Sequence, residues 1–108
     1  MVYFLQDMRR DRIKIGYVDV MTVEDRVHQI RLNNRGLIRL LATIEGKRER
    51  EHKLHQQFQT SRVLINTRYG DWFRMSDDLC CFVSSLNPKL RLLSESGKRW
   101  KAGKVMSS

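Results

Sequence analysis

The sequence predicts a small α/β (α+β) domain, with a central antiparallel sheet of about three strands flanked by helices. Three observations predict it. Two runs rich in β-forming residues, Val2-Tyr3-Phe4-Leu5 and Arg12-Ile13-Lys14-Ile15-Gly16-Tyr17-Val18, stand close enough together to form a hairpin. Two stretches of helical periodicity and a third apolar segment then alternate along the chain. A chain of 108 residues has room for one hydrophobic core and no second one.

The elements follow in order. Val2 to Leu5 is the first strand, and the polar run Asp7 to Asp11 suits a turn. The second strand alternates. Ile13, Ile15 and Tyr17 share one face, and Lys14 and Gly16 share the other. Two readings of Lys14 stand: its face meets water, or its face looks into a site. Thr22 caps a helix with Glu24 and Asp25 in its first turn and with Val23, Val27 and Ile30 as its core stripe. Asn33-Asn34-Arg35-Gly36 ends it. Leu37 to Ile44 reads as a third strand, although a short buried helix has the same pattern.

From Lys47 to about Thr60 a second helix is expected, with Glu51, Leu54, His55 and Phe58 on one side. Asn66 to Phe73 reads as a turn carrying Tyr69, Trp72 and Phe73. Ser76 caps a last helix from Asp77 to about Leu86, with Leu79, Phe82, Val83 and Leu86 inward and Pro88 beyond its end. Residues 1–86 form the expected domain and 87–108 a basic, flexible tail. The tail holds six basic residues and one acidic, five (6 − 1) of the net charge of +9.

With 21 Lys and Arg against 12 Asp and Glu, and an isoelectric point near 10.2, the chain suits a polyanionic partner, most often nucleic acid. Charge alone does not separate a nuclease from a binding module or from a protein that is basic for solubility. No apolar run approaches a membrane span, and the N-terminus has no secretory pattern. Cys80 and Cys81 are adjacent and lack zinc-ligand spacing, so they read as reduced thiols of a cytoplasmic protein.

The order β-β-α-β-α-α carries a set of motifs: Met1-Val2-Tyr3, Ile13-Lys14-Ile15-Gly16, Arg26, Glu51-His52-Lys53-Leu54-His55-Gln56-Gln57-Phe58 and Gly70-Asp71-Trp72-Phe73. Together, over about residues 1 to 85, they resemble the GIY-YIG nuclease superfamily, and within it the small phage and bacterial branch of the meiotically up-regulated type. The resemblance implies a divalent-metal-dependent endonuclease that hydrolyses phosphodiester bonds of DNA, with RNA a further possibility. It implies Mg²⁺ or Mn²⁺ as cofactor.

The resemblance also implies roles. Tyr3 matches the tyrosine of the first motif, a proton acceptor or a positioning group for water; a half-buried strand tyrosine is the plainer reading. Lys14 stands where the second motif usually has its own tyrosine. As a cation it would stabilise a phenolate-like Tyr3 or hold a phosphate. Gly16 allows close backbone approach. Arg26 matches the helix arginine and would bind phosphate with its planar fork. The histidine that many members carry one turn later is Ile30 here, and His28 lies on another side of the helix.

Glu51 matches the metal-binding glutamate; otherwise it pairs with His55 or Lys47. His55 would move a proton or orient Glu51, or it is a satisfied structural histidine. The text E-H-x-x-H has the wrong order for a zinc protease. Trp72 closes the core or stacks on a base. Asn66 is a loose match to a superfamily asparagine. Lys98, Arg99 and Lys101 of the tail would add sequence-independent affinity. The rival to an active nuclease is a weak or inactive nucleic-acid adaptor of the same fold, and a domain this small leaves room for a partner protein that supplies specificity.

Overall fold

A computed structural model describes residues 1–34, 37–64 and 71–87. The elements are β1 (Val2–Asp7), β2 (Arg12–Tyr17), α1 (Val23–Asn34), β3 (Ile38–Ile44), α2 (Arg48–Gln57), a 3₁₀ turn (Gln59–Ser61), β4 (Arg62–Leu64), β5 (Asp71–Arg74) and α3 (Asp77–Leu86). The expected α+β class, hairpin and flanking helices are present. The sheet, however, has five antiparallel strands in the order β3-β1-β2-β5-β4, where three were expected. The two additional strands, of three and four residues, are too short for alternation to register in the sequence. Trp72 and Phe73, expected in a turn, lie in β5.

Helices cover both faces of the sheet, so every residue of the interior strand β1 is buried. On one face Val2, Phe4, Ile13, Ile15 and Phe73 pack against Leu54 and Phe58 of the α2 region and Leu79, Cys80 and Val83 of α3. On the other, Tyr3, Leu5 and Trp72 pack under Val27 and Ile30 of α1, together with Val18 and Ile38. A register shift between Phe4 and Leu5 against β3 turns Leu41 and Ala42 into the same core, which a regular strand would divide between faces.

The β1–β2 turn is organised by a buried carboxylate. Asp7, fully buried, accepts the backbone N–H of Arg9 at 3.0 Å and of Arg10 at 3.2 Å, and pairs with the guanidiniums of Arg10 (3.0 Å) and Arg12 (3.4 Å). Asp11 completes the turn at φ 49°, a conformation that aspartate tolerates better than most residues. Gly46, just before α2, has φ +139°, and a Cβ there would lie 2.6 Å from Cβ of Arg50. Glycine is therefore required where the chain turns into the helix that carries Glu51.

The capping expectations hold. Thr22 Oγ1 accepts the N–H of Asp25 at 3.1 Å, and Ser76 Oγ accepts that of Leu79 at 3.4 Å. Ser61 Oγ donates to Ser76 Oγ at 2.8 Å, which ties the α3 cap to the 3₁₀ turn. Cys80 is buried and Cys81 exposed, both as free thiols; burial pushes the Cys80 thiol up to about 12, where it is inert. Among the described residues no helix is long and apolar enough to cross a membrane. Tyr69, Asn66, Gly70, Pro88 and the tail with Lys98, Arg99 and Lys101 lie outside the described residues.

Ser76→Ala removes both the cap and the link to Ser61. It should lower stability by about 1–2 kcal/mol, read as a lower urea midpoint at unchanged m-value.

Candidate active site

The site starts from Lys14. Alternation along β2 sends it to the α1 face of the sheet, where it is 2% exposed. The water-facing reading is thereby excluded. Directly opposite, β5 places Trp72, and the Lys14 Nζ sits 4.7 Å from the centre of the indole ring. Arg12, two residues earlier on the same face, sets its guanidinium 4.3 Å from the same ring centre. Burial lowers the Lys14 ammonium to about 8; Asp71 and Glu51 pull it back up, while Arg12 and Arg26 push it further down.

This arrangement corrects the base-stacking role of Trp72. The ring is 2% exposed and engaged by two cations, so it offers no open face to a base in this conformation.

Glu51, Leu54 and His55 are the buried residues of α2, as their spacing predicts. The helix packs against β2, whose described pairing with β5 runs from Arg12↔Arg74 to Ile15↔Asp71. There the Ile15 carbonyl accepts a hydrogen bond from His55 Nε2 at 3.0 Å. A carbonyl only accepts, so Nε2 carries a proton and Nδ1 is the nitrogen that faces Asp71 Oδ2, at 3.5 Å. Arg62 holds the same carboxylate oxygen at 3.3 Å and donates to the His55 carbonyl at 3.4 Å. Phe73 lies against the imidazole with ring centres 5.3 Å apart. Burial raises the Glu51 pKa above the ordinary carboxylate value. The charge of His55 opposes this, Asp71 adds to it, and Arg48 and Lys14 oppose it.

Tyr3 is fully buried and lies directly opposite Gly16, itself buried. Both are on the Lys14 face, with Tyr3 on the diagonal to Lys14 across the β1–β2 pair. Arg26 is half-buried on α1 and lines a cavity of about 300 Å³ with Tyr17, Val18, Asp19, Val20 and Met21. The fold thus brings Arg26 and Glu51 within electrostatic reach of Lys14, and His55 within reach of Glu51, with Tyr3 enclosed in the same layer as Lys14.

Three further residues belong to the cluster: Asp71, Arg62 and Arg12. Asp71 is 6% exposed and touches the electrostatics of Lys14, Glu51 and His55 together. Its only sequence signal was its place in Gly70-Asp71-Trp72-Phe73, which read as a turn. Among the described residues, no three His, Cys, Asp or Glu side chains gather as a metal cage.

In comparisons with known proteins, no family model matches the chain, and no curated protein or solved structure is significantly similar to it.

The buried lysine has a measurable signature. Its folded pKa of about 8 lies below the ordinary 10.5, so the unfolded chain binds this proton more tightly. Below pH about 8 the group is charged in both states and its burial cost is full. Between about 8 and 10.5 the folded chain releases the proton first, and the cost fades as pH rises. Relative to Lys14→Met, the wild type should gain on the order of 2–3 kcal/mol across that window. Denaturant unfolding of both proteins at pH 7 and pH 10.5 reads the difference; a constant gap would contradict a buried ammonium.

Proposed function

We propose that the chain is a divalent-metal-dependent endonuclease acting on phosphodiester bonds of nucleic acid, DNA in the first instance. The observation that carries this reading is the electrostatic coupling of the buried Lys14 to Asp71, Glu51 and Arg26, the last of which lines a cavity. The motif resemblance over residues 1 to 85 and the net charge of +9 support it.

The residues present fit a hard divalent ion. Glu51 and Asp71 are close enough for one carboxylate to raise the pKa of the other, a repulsion that a bound cation would relieve. Glu51 would hold the ion with Asp71 beside it, the remaining oxygens coming from water and phosphate. When bound, the ion supplies Lewis-acid polarisation of the phosphate and charge neutralisation.

The chain's own residues do the rest. Arg26 grips phosphate oxygens with its planar fork and neutralises charge developing at phosphorus. Lys14, held as a cation next to the carboxylates, adds a point charge on the same phosphate. His55 is anchored through Nε2 to the Ile15 carbonyl, so its free chemistry is at Nδ1, towards Asp71. That assigns His55 to orienting the carboxylates, in preference to carrying a proton to the leaving oxygen. Tyr3 stands behind Lys14, where its phenol tunes the ammonium or prepares the water once the layer opens.

One observation favours a second reading. Tyr3 is fully buried and Lys14 nearly so, which closes the path by which an attacking water would meet the phenol. A nucleic-acid adaptor of the same fold would keep this layer shut.

Duplex and single-stranded DNA and RNA, incubated with Mg²⁺, Mn²⁺ or EDTA, separate the two. Glu51→Gln should lower metal-dependent cleavage about 10²–10⁴-fold with little change in binding. Cleavage unaffected by Glu51→Gln would remove Glu51 from the mechanism, and binding without cleavage under either metal would leave the adaptor. If Lys14 acts as a cation, cleavage falls as pH rises through about 8, and Lys14→Arg moves that limb upward.

A further inference from the structure

The end of the sheet that carries the β1–β2 turn has a charge pattern that the cluster above does not use. Strand register assembles it. Asp7 lies opposite Arg12 on β2 and opposite Ile38 on β3, and Arg12 lies opposite Arg74 on β5. Antiparallel partners share a face, so Arg12 and Arg74 emerge together on the α1 side. Arg31, in the last turn of α1, donates from Nε to the Ile38 carbonyl at 3.2 Å and so joins the same end. Arg9 and Arg10 are pinned there through their amides on Asp7.

Every basic residue brought to this end, among the described residues, is arginine. Arg9, Arg10, Arg31 and Arg74 are exposed, and Arg12 is half-buried. The carboxylates that accompany them are few. Asp7 is fully buried and already engaged by two amides and two guanidiniums. Asp11 lies in the same turn. Asp77 and Asp78 open α3, which packs on the opposite face. Among the described residues five guanidiniums therefore accompany two carboxylates; burial lowers the Arg12 pKa, Asp7 pulls it back up, and the Arg10 charge lowers it further. Such crowding is relieved by an anion, and arginine's planar fork suits phosphate oxygens in particular.

We propose that this end of the sheet, through Arg9, Arg10, Arg12, Arg31 and Arg74, is a docking surface for the phosphate backbone of nucleic acid. The proposal rests on the function proposed above for its choice of polyanion and places substrate docking on the folded domain, apart from the basic tail. Arg12 links this end to the buried cluster, since it shares the Trp72 ring with Lys14.

The test uses the full chain and a fluorescently labelled duplex, with EDTA present so that binding is read without cleavage. Anisotropy titrations over a salt series give the slope of log affinity against log salt. The double variant Arg9→Ala, Arg74→Ala leaves the Asp7 network and the carboxylate cluster untouched, and thermal unfolding checks that it folds. Loss of two phosphate contacts should reduce the slope by about 2 and weaken binding about tenfold or more at moderate salt. Lys47→Ala, Lys53→Ala removes the same charge from the α2 side and should leave the slope as in wild type.

An unchanged slope in the arginine variant, an equal drop in both variants, or no binding by the wild type would each overturn the proposal. Its failure is distinct from that of the nuclease reading. If the wild type binds with the expected arginine dependence but cleaves nothing with Mg²⁺ or Mn²⁺, the docking surface stands and the nuclease reading falls.

Discussion

A lysine buried at the middle of the second strand is the constraint on which the rest of the structure depends. Lys14 is 2% exposed in a layer otherwise made of Tyr3, Leu5, Val27 and Ile30. An ammonium taken from water costs several kcal/mol unless its surroundings return most of that. Here an indole ring directly opposite, and the carboxylates of Asp71 and Glu51, do so. Each compensating group fixes an element. Trp72 and Asp71 come from β5, so that strand must pair with β2. Glu51 comes from α2, so that helix must pack over β2. The fourth and fifth strands are thus part of the site and not an appendage to a three-stranded core.

The electrostatic consequence is a cluster in which burial works against the charged forms of both Lys14 and Glu51. Burial drives Lys14 down and Glu51 up, and the mutual attraction of the two offsets both shifts only in part. A site in that condition responds to ligands of either sign. An approaching phosphate favours the charged lysine, and a cation favours the ionised glutamate; each prepares the pair for the other. The anchored His55 and Arg62 keep the Asp71 carboxylate fixed while this happens, because His55 is tied to the β2 backbone and Arg62 to the backbone of α2. The reading as a metal-dependent nuclease draws on this property. The enclosure of Tyr3 pulls the other way, since a closed layer must loosen before water reaches the phenol.

Much of this was legible in the residues, for identifiable reasons. The hairpin, the three helices and the third strand each carry a periodic apolar pattern or a capping residue, and α2 presents Glu51, Leu54, His55 and Phe58 to the interior as their spacing requires. What was not legible depends on long-range pairing. Whether Lys14 faces water or a site is undecided by alternation, which gives its face and not what covers it. β4 and β5 are shorter than the pattern that identifies a strand. Asp71 acts from a position two residues before Phe73, on the α2 side of the sheet, and only the register with Ile15 brings it to His55. Asp7 likewise read as a turn residue, because nothing local shows that a carboxylate will be sealed beneath the arginines that follow it.

The two faces of β2 divide the work of the domain, and the register of that one strand keeps them apart. Ile13 and Ile15 supply the core beneath α2 and α3, while Arg12, Lys14 and Gly16 supply the α1 face. A slip by one residue would exchange the two sets, sending a lysine and an arginine into the aliphatic core and two isoleucines under Trp72. Such a slip is opposed on both edges at once, by the buried Asp7 that binds Arg12 on one side and by Trp72 that takes Arg12 and Lys14 on the other. The irregularity that the sheet needs is absorbed in β3, at the Phe4–Leu5 step, away from these contacts. The charged residues of β2 therefore act as register locks as well as site residues. A substitution at Arg12 or Lys14 changes strand pairing and chemistry together, whereas one at the exposed Arg9 or Arg74 side chain leaves the Asp7 network in place and changes the charge presented to a ligand.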